Sequence, residues 1–292
     1  QSNGIAMNVD QLRSFVEVVA TGSFSLAASR LNVTQSTVSA RIRALEEQLG
    51  QPLFLRGREG ADLTPAGVRL EAHALAILSS WEQARQEIAL PQGYQTLFRL
   101  GGPASLWSSL LRPWLSSMRE RAPDVALRLE GSYSDNVIER LSEGLLDLGV
   151  VYIPRRRPGL IVETLFDERL VLVCHKDTID NWSDHYVNLD WDDELRSAHN
   201  EAYPGLPTPA ITIGPAVLGL NYLIDQRASG YLPWSLAAPS IAGGHLSPVE
   251  GAPEIRRAVY AMAPDNHAHA DLLDLARRCL RSIGSLLQDF RD

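Results

Sequence analysis

The chain has 292 residues, of which 45% are hydrophobic and 21% charged, and its formal net charge is −8. That length serves roughly two domains, no apolar run approaches the ~20 residues of a membrane span, and the acidic balance argues against adhesion to nucleic acid over the whole surface. Cys174 and Cys279 lie far apart in apolar-periodic segments, a pattern of buried thiols in a reducing, cytoplasmic setting rather than of a disulfide framework or a metal site. The opening QSNGIA, residues 1–6, has no signal-peptide design and reads as an expression remnant outside the fold.

The charge is unevenly distributed. Residues 1–94 hold eight arginines and nine carboxylates, whereas residues 95–292 hold 19 basic and 26 acidic side chains. From Arg30 to Arg58 five arginines accompany two glutamates, a local positive stripe of the kind that phosphate contact needs.

From Val9 to Ala20, Leu12, Phe15, Val16 and Val19 recur at helical spacing, and Thr21-Gly22 ends that helix. A short second helix spans about Ser25 to Leu31, its Ala27-Ala28 pair admitting a close neighbour. After the Asn32-Val33 turn, Thr34 is placed to cap a third helix from Gln35 to about Leu49. Its apolar face is Val38, Ile42, Leu45 and Leu49; Gln35, Ser36, Ser39 and Arg43 occupy another. Two helices joined tightly, the second polar over its first half, form the helix-turn-helix pattern. Short polar side chains let the helix backbone approach base edges in the major groove, where Gln pairs with adenine and Ser serves base or phosphate. The following QPLFLRGREGADLTPAG reads as a wing: Leu53–Leu55 anchor a small strand, and Arg56 and Arg58 flank a glycine-rich tip that grips phosphates. The candidate DNA-contacting set is therefore Arg30, Thr34, Gln35, Ser36, Thr37, Ser39, Arg41, Arg43, Arg56 and Arg58.

Thr64-Pro65 opens a long helix carrying Leu70, Ala74, Ile77, Trp81, Ala84 and Ile88 as a heptad seam, and Pro91-Gln92-Gly93 ends it. A narrow seam on a helix of about 39 Å is buried either by a partner helix from a second subunit, which makes these six residues a dimerisation surface, or by the chain's own domains.

The order LRSFVEVVATGSFSLAASRLNVTQSTVSARIRALEEQLGQPLFLRGREGADLTPAG resembles the N-terminal module of LysR-type transcriptional regulators, whose AAxxLxVxQxxxSxxIxxLExxLGxxLFxR…LTxAG pattern is matched from Ala27 to Gly67. The resemblance extends more weakly along the whole chain. Ser36 stands where the family often has proline, and Ala40 where it often has a long polar or basic residue; Ala40 has nothing to hydrogen-bond a base edge with, so the operator sequence does not transfer from any relative.

From Thr96 onward short strands alternate with helices: TLFRLGG, a helix over about Ala104–Arg121, ALRLEGS, a helix over about Asp135–Glu143, LDLGVVYI, then LIVETLF and RLVLVCH as two strands separated by Asp167-Glu168. ITIG, a helix over about Ala216–Ala228, RRAVYAMA and a helix over about His269–Gln288 follow. This predicts an α/β architecture with a largely parallel sheet. The resemblance implies an α+β multidomain protein. Its parts are a winged helix-turn-helix over 7–66, a linker (dimerisation) helix over 65–92 and an effector-binding α/β domain over 95–292 similar to type 2 periplasmic binding proteins. The effector domain divides into subdomain I (95–167 and 266–292) and subdomain II (168–265), with crossovers near Phe166–Arg169 and Met262–Asn266. NLDWDDEL and SGYLPWSLAA further resemble one subgroup of the family, that of a flagellar-operon repressor.

Strand-to-helix loops point into the crevice of such a sheet. They carry Pro103, Ala104 and Ser105 at a helix N-terminus suited to an anion, then Ser132 and Tyr133, Tyr152 at a strand end, Gly214 and Pro215, and Tyr231. By resemblance these line an effector pocket; otherwise the serines cap helices and the tyrosines pack on the surface. Arg155-Arg156-Arg157 reads as a solvated loop.

The resemblance implies double-stranded operator DNA, a small-molecule effector of anionic character, RNA polymerase and further copies of the chain, as a homodimer and then a tetramer, as partners, with no membrane, metal or cofactor. Two other functions compete with this reading. An enzyme would need a GxSxG elbow, GxGxxG after a strand, a P-loop or HExxH, and none is present. His267 and His269 have a spacing that two-ligand metal sites use, but read better as a polar loop; His73 sits on the linker helix and His199 in a loop beside Glu201. A transport solute-binding protein would share the C-terminal fold but not the N-terminal module.

Overall fold

The computed structural model describes residues 8–55, 61–189, 193–214 and 216–289. Two compact units meet at Ala89 and Leu90, and each is described by itself.

The first unit comprises α1 (Val9–Thr21), α2 (Phe24–Arg30), α3 (Gln35–Leu49) and α4 (Pro65–Ile88). Every helix starts on the cap its sequence offers: Asn8, Ser23, Thr34 and Thr64 each accept a first-turn backbone N–H, and at α1 the Gln11 side chain answers back to the Asn8 N–H as a capping box. Leu12, Phe15, Val18, Ala27, Ala28, Val38, Ile42 and Leu45 form one core with Leu53, Phe54 and Ala74. The Phe54 ring lies 5.4 Å from both Phe15 and Phe24. The base of the wing is a bridge between Phe54 and Leu63, with Leu55 N–H donating to the Asp62 carbonyl at 2.8 Å. Glu46 Oε1 accepts from the Leu53 N–H at 2.7 Å. Leu49, expected on the buried face, is 46% exposed, because α3 outlasts the helices that cover it.

The seam of α4 is divided. Ala74 is fully buried, and Leu70 and Ile77 pack against the helix-turn-helix core. Of the six seam residues, Ala74 is thus covered by the chain's own domain rather than by a second subunit, and Leu70 and Ile77 are half-covered by it. Trp81 is 48% and Ile88 87% exposed, and Ala84 is half-buried. The docking of α4 depends on Gly67, where an added Cβ would lie 2.3 Å from the Leu53 carbonyl oxygen.

The second unit runs β1 (Thr96–Gly102), a 3₁₀ turn (Ala104–Leu106), a π turn (Trp107–Leu111), α5 (Arg112–Arg121), β2 (Val125–Gly131), α6 (Ser134–Ser142), β3 (Leu148–Val151) and β4 (Leu160–His175). It continues through β5 (Asn188–Leu189), α7 (Asp193–Ala202), β6 (Thr212–Ile213), α8 (Ala216–Asp225), β7 (Ser229–Pro233), α9 (Trp234–Ala242), β8 (Leu246–Pro248), β9 (Ile255–Pro264) and α10 (Ala270–Asp289). The helix expected over 104–121 is broken into three pieces. Pro113, at the start of α5, lacks the N–H that would continue the ladder, and its ring crowds the carbonyl four residues earlier.

The main sheet has seven strands in the order β2-β1-β3-β9-β4-β7, with β8 also paired to β4. The expected parallel sheet is corrected to a mixed one: β1 pairs in parallel with β2 and β3, whereas β9 and β4 are antiparallel to their neighbours. The two strands expected around Asp167-Glu168 are one strand of 16 residues, because the carboxylate pair lies opposite Arg257 and Ala258 of β9 rather than in a turn. Two large cores result, with a smaller cluster of Val137, Ile138, Leu141, Leu146, Val151 and Met262 beside them. One gathers Phe98, Leu106, Trp114, Met118, Phe166, Val259 and Ala276; the other gathers Leu170, Tyr186, Leu223, Tyr231, Ala237 and Ile255. The first crossover thus falls between Phe166 and Leu170. The second falls between Ile255 and Val259, not at Met262–Asn266, because β9 carries the sheet on into the first core.

Candidate nucleic-acid interface and effector cavity

On α3 the apolar residues Val38, Ile42 and Leu45 are buried, which turns the other face outward. Thr34, Gln35, Ser36 and Arg43 are exposed, and Thr37 and Ser39 half-buried. The Thr34 Oγ1 lies 2.8 Å from both the Ser36 and the Thr37 hydroxyls and caps the Thr37 N–H at 3.2 Å. The result is a compact hydroxyl-and-amide edge at the positive end of a helix dipole, with no acidic residue in the first turn. Bases and phosphates fit such an edge. Two arginines are held within the unit instead. Arg41 donates to Asp10 at 3.2 Å and to the Ser14 hydroxyl at 3.3 Å, which clamps α3 to α1, so the expectation of an outward-reaching Arg41 is corrected. Arg30 pairs with Glu17 at 2.9 Å while staying exposed. Arg56 and Arg58 lie outside the described residues.

In the second unit a cavity of about 340 Å³ opens between the two cores. Pro103, Ala104, Ser105, Ser132, Tyr133, Tyr152 and Gly214 all line it; Pro215 lies outside the described residues. Ser105 Oγ and the Tyr152 hydroxyl are 2.7 Å apart. Burial above all, and then the nearby Glu168 charge, push Tyr152 further from ionising, with Arg257 opposing. Ser134 fixes the end of β3 by accepting the Tyr152 N–H at 3.0 Å. Gly214 faces Tyr133 across the crevice: a Cβ there would come within 3.1 Å of the Tyr133 hydroxyl.

Tyr231 does not belong to the cavity. It sits in the middle of β7, fully buried in the second core, and its hydroxyl donates to the Pro253 carbonyl at 2.7 Å. The sequence places Tyr231 just beyond the end of the helix over 216–228 and shows no strand there, because all five residues of SGYLP are buried and no alternation betrays one. It also missed Asp135, Ile153, Pro233 and Arg257, which line the cavity. Arg257 sits next to Arg256, and such a pair reads as solvated surface until the register is known.

His267 lies in the loop between β9 and α10, where its Nε2 meets Asp147 Oδ1 at 3.0 Å. His199 lies on α7, not in a loop, and stacks on Tyr186 with ring centroids 5.2 Å apart; burial lowers its pKa. Among the described residues no group of three or more His, Cys, Asp or Glu is placed to hold a metal, and no helix is long and apolar enough to cross a membrane.

Comparison with known proteins decides the family. Residues 9–68 match the bacterial regulatory helix-turn-helix protein model of the lysR family, and residues 91–283 match the LysR substrate binding domain. This chain is a LysR-type transcriptional regulator. The regulator is 31% identical over 290 residues to the HTH-type transcriptional regulator HdfR of Yersinia pestis (strain Pestoides F), covering 94% of this chain and 96% of that one, consistent with the subgroup its sequence fragments resemble. Among solved structures it is similar to ArgP from Mycobacterium tuberculosis, with 25% identity, 94% and 96% coverage and a TM-score of 0.59. It shares its fold with CbnR, a LysR family transcriptional regulator, at 20% identity, 95% and 99% coverage and a TM-score of 0.61. In this regulator the first unit is the DNA-binding helix-turn-helix domain and the second the effector-binding domain.

Proposed function

We propose that this regulator reads a two-fold operator through the N-terminal half of α3 and answers to a small acidic molecule held in the cavity between the two cores. The observation that carries the DNA half is the exposed Thr34–Gln35–Ser36 edge standing over buried Val38, Ile42 and Leu45. Gln35 supplies base discrimination, Arg43 reaches phosphate, and Arg56 and Arg58 act in the wing. Supporting the effector half, the cavity lies where the crevice of an open α/β sheet binds ligands. CbnR is known in complex with its target DNA and LysG from Corynebacterium glutamicum with bound effector Arg, which accords with both partners here. The α4 stripe of exposed Trp81 and Ile88 with half-buried Ala84 between them joins two copies, and pairs of dimers form the tetramer. Effector binding shifts the population of the operator-competent assembly, with RNA polymerase as the further partner in the cytoplasm.

This reading gives the cavity a binding role and no turnover.

Selection from random duplexes tests the DNA half. Gln35→Ala should change the sequences recovered, whereas Arg43→Ala should weaken binding to all duplexes alike and reduce the slope of log affinity against log salt by about 1. Unchanged preference with Gln35→Ala would reject the assignment of α3.

A further inference from the structure

The chemistry of the cavity and the mechanics of the sheet meet at one pair of residues. Glu168 and Arg257 are register partners on β4 and β9. Glu168 lies between Phe166 of the first core and Leu170 of the second; Arg257 lies between Ile255 of the second and Val259 of the first. The pair therefore occupies both crossovers at once. Arg257 Nη2 donates to Glu168 Oε2 at 2.6 Å, and the two side chains are only 11% and 4% exposed. The guanidinium also lies over the Tyr152 ring, 3.3 Å from its centroid, and Arg257 lines the cavity. A buried ion pair is weak as a stabiliser, because desolvation offsets most of its attraction. Its position on a cavity wall calls for another account.

Charge is otherwise scarce on that wall. Pro103, Ala104, Ile153 and Pro233 are apolar, and the other charged lining residue among the described residues, Asp135, is 65% exposed and paired with Arg155. The opposite face of the crossover is separately secured. Arg169 and Arg256 stand directly opposite each other, and Glu254 bridges them at 2.7 and 2.8 Å.

We propose that Arg257 is the residue that recognises the acidic group of the effector, and that Glu168 is a positioning residue that competes with that group for the guanidinium. A planar guanidinium held over an aromatic ring has little rotamer freedom left to lose and presents a fork that matches a carboxylate. Glu168 sets the strength of the interaction by partly neutralising the cation. Binding selects monoanionic molecules with an apolar body and draws directly on the contact that joins β4 to β9.

The inference rests on the effector reading of the cavity, and the experiment separates the two. Three near-isosteric probes are titrated calorimetrically into the full-length protein: phenylacetate, phenylacetamide and phenethylamine. The wild type should bind phenylacetate about tenfold or more tightly than the amide, with the amine weaker still. Arg257→Gln should lose that preference while binding the amide as before, and the double variant E168Q/R257Q, which leaves no unpaired buried charge, should behave alike. Glu168→Gln alone should bind phenylacetate more tightly by several-fold, a gain that a merely structural role for Glu168 would not produce. Equal binding of acid and amide by the wild type, retention of the preference in both Arg257 variants, or no phenylacetate binding at millimolar concentration would each overturn the proposal. Ala104→Phe, which fills the cavity, tells the readings apart. Binding that survives it rejects the cavity as the site; binding that it abolishes but Arg257→Gln leaves intact rejects Arg257 alone.

Discussion

Replacing Asp147 by asparagine removes the charge around which one end of the effector-binding unit is organised. Asp147 Oδ2 accepts the Arg99 backbone N–H at 2.6 Å and lies 3.5 Å from the Arg99 guanidinium, while Oδ1 meets His267 at 3.0 Å. The Arg99 side chain is 4% exposed and the Asp147 side chain 10%. Removing one member of such a pair typically costs ~3–5 kcal/mol, because a buried charge loses its counter-charge. For a unit of about 200 residues each kcal/mol is worth about 2–4 °C, so the melting temperature should fall by about 6–20 °C. Calorimetry of the full chain measures this, and a loss below ~1 kcal/mol would refute the argument. The same substitution tests the pH dependence. The hydrogen bond to Asp147 raises the His267 pKa, against the lowering effect of burial. A histidine whose folded-state pKa is raised contributes its full stabilisation below the unfolded value of about 6.5 and loses it as pH climbs through the folded value. Wild-type stability should therefore decline over the window above about pH 6.5, and Asp147→Asn should flatten that decline. An identical slope in both proteins would show that His267 is not its source.

Gly67→Ala should destabilise the DNA-binding unit by ~1–3 kcal/mol in urea unfolding despite alanine's better helix propensity, since the new Cβ meets the Leu53 carbonyl oxygen rather than a side chain free to move. Arg41→Met should lower stability by ~1 kcal/mol and leave the salt dependence of DNA binding unchanged, because that arginine serves Asp10 and Ser14; a reduced salt slope would return Arg41 to the phosphates. Replacing Trp81 and Ile88 together by aspartate should dissociate the dimer in sedimentation while each chain stays folded, since both are exposed within their own unit; an unaltered sedimentation coefficient would place the interface elsewhere.

What was legible in the sequence was local. The caps at Thr34 and Thr64 announced α3 and α4 within a few residues, and the spacing of Val38, Ile42 and Leu45 told which face of α3 turns outward. The cavity loops were legible for the same reason, since a strand followed at once by a helix brings Ser105 and Tyr133 to one end of the sheet. What escaped was long-range. Asp147 and His267 are 120 residues apart, and Glu168 and Arg257 are 89 apart; neither pairing leaves a trace in periodicity. Tyr231 was misplaced because a strand buried on both faces has no alternating pattern to read. The seam of α4 looked uniform, but Leu70, Ala74 and Ile77 pack against their own domain while Trp81 and Ile88 stay exposed.

The strand order of the effector-binding unit also sets a timetable during synthesis. β3 ends at Val151, yet its neighbour β9 begins at Ile255, roughly a hundred residues later, or ~5–20 s of translation at ordinary rates. Until then β3 presents a bare edge, the kind of surface that recruits other chains, and the helix that covers this half, Ala270–Asp289, has yet to leave the ribosome. The helix-turn-helix, complete by Ile88, has no such wait. Each newly made molecule thus carries a finished reading head well before it owns a working sensor, and the stretch from Ile255 onward decides whether the sensor closes at all.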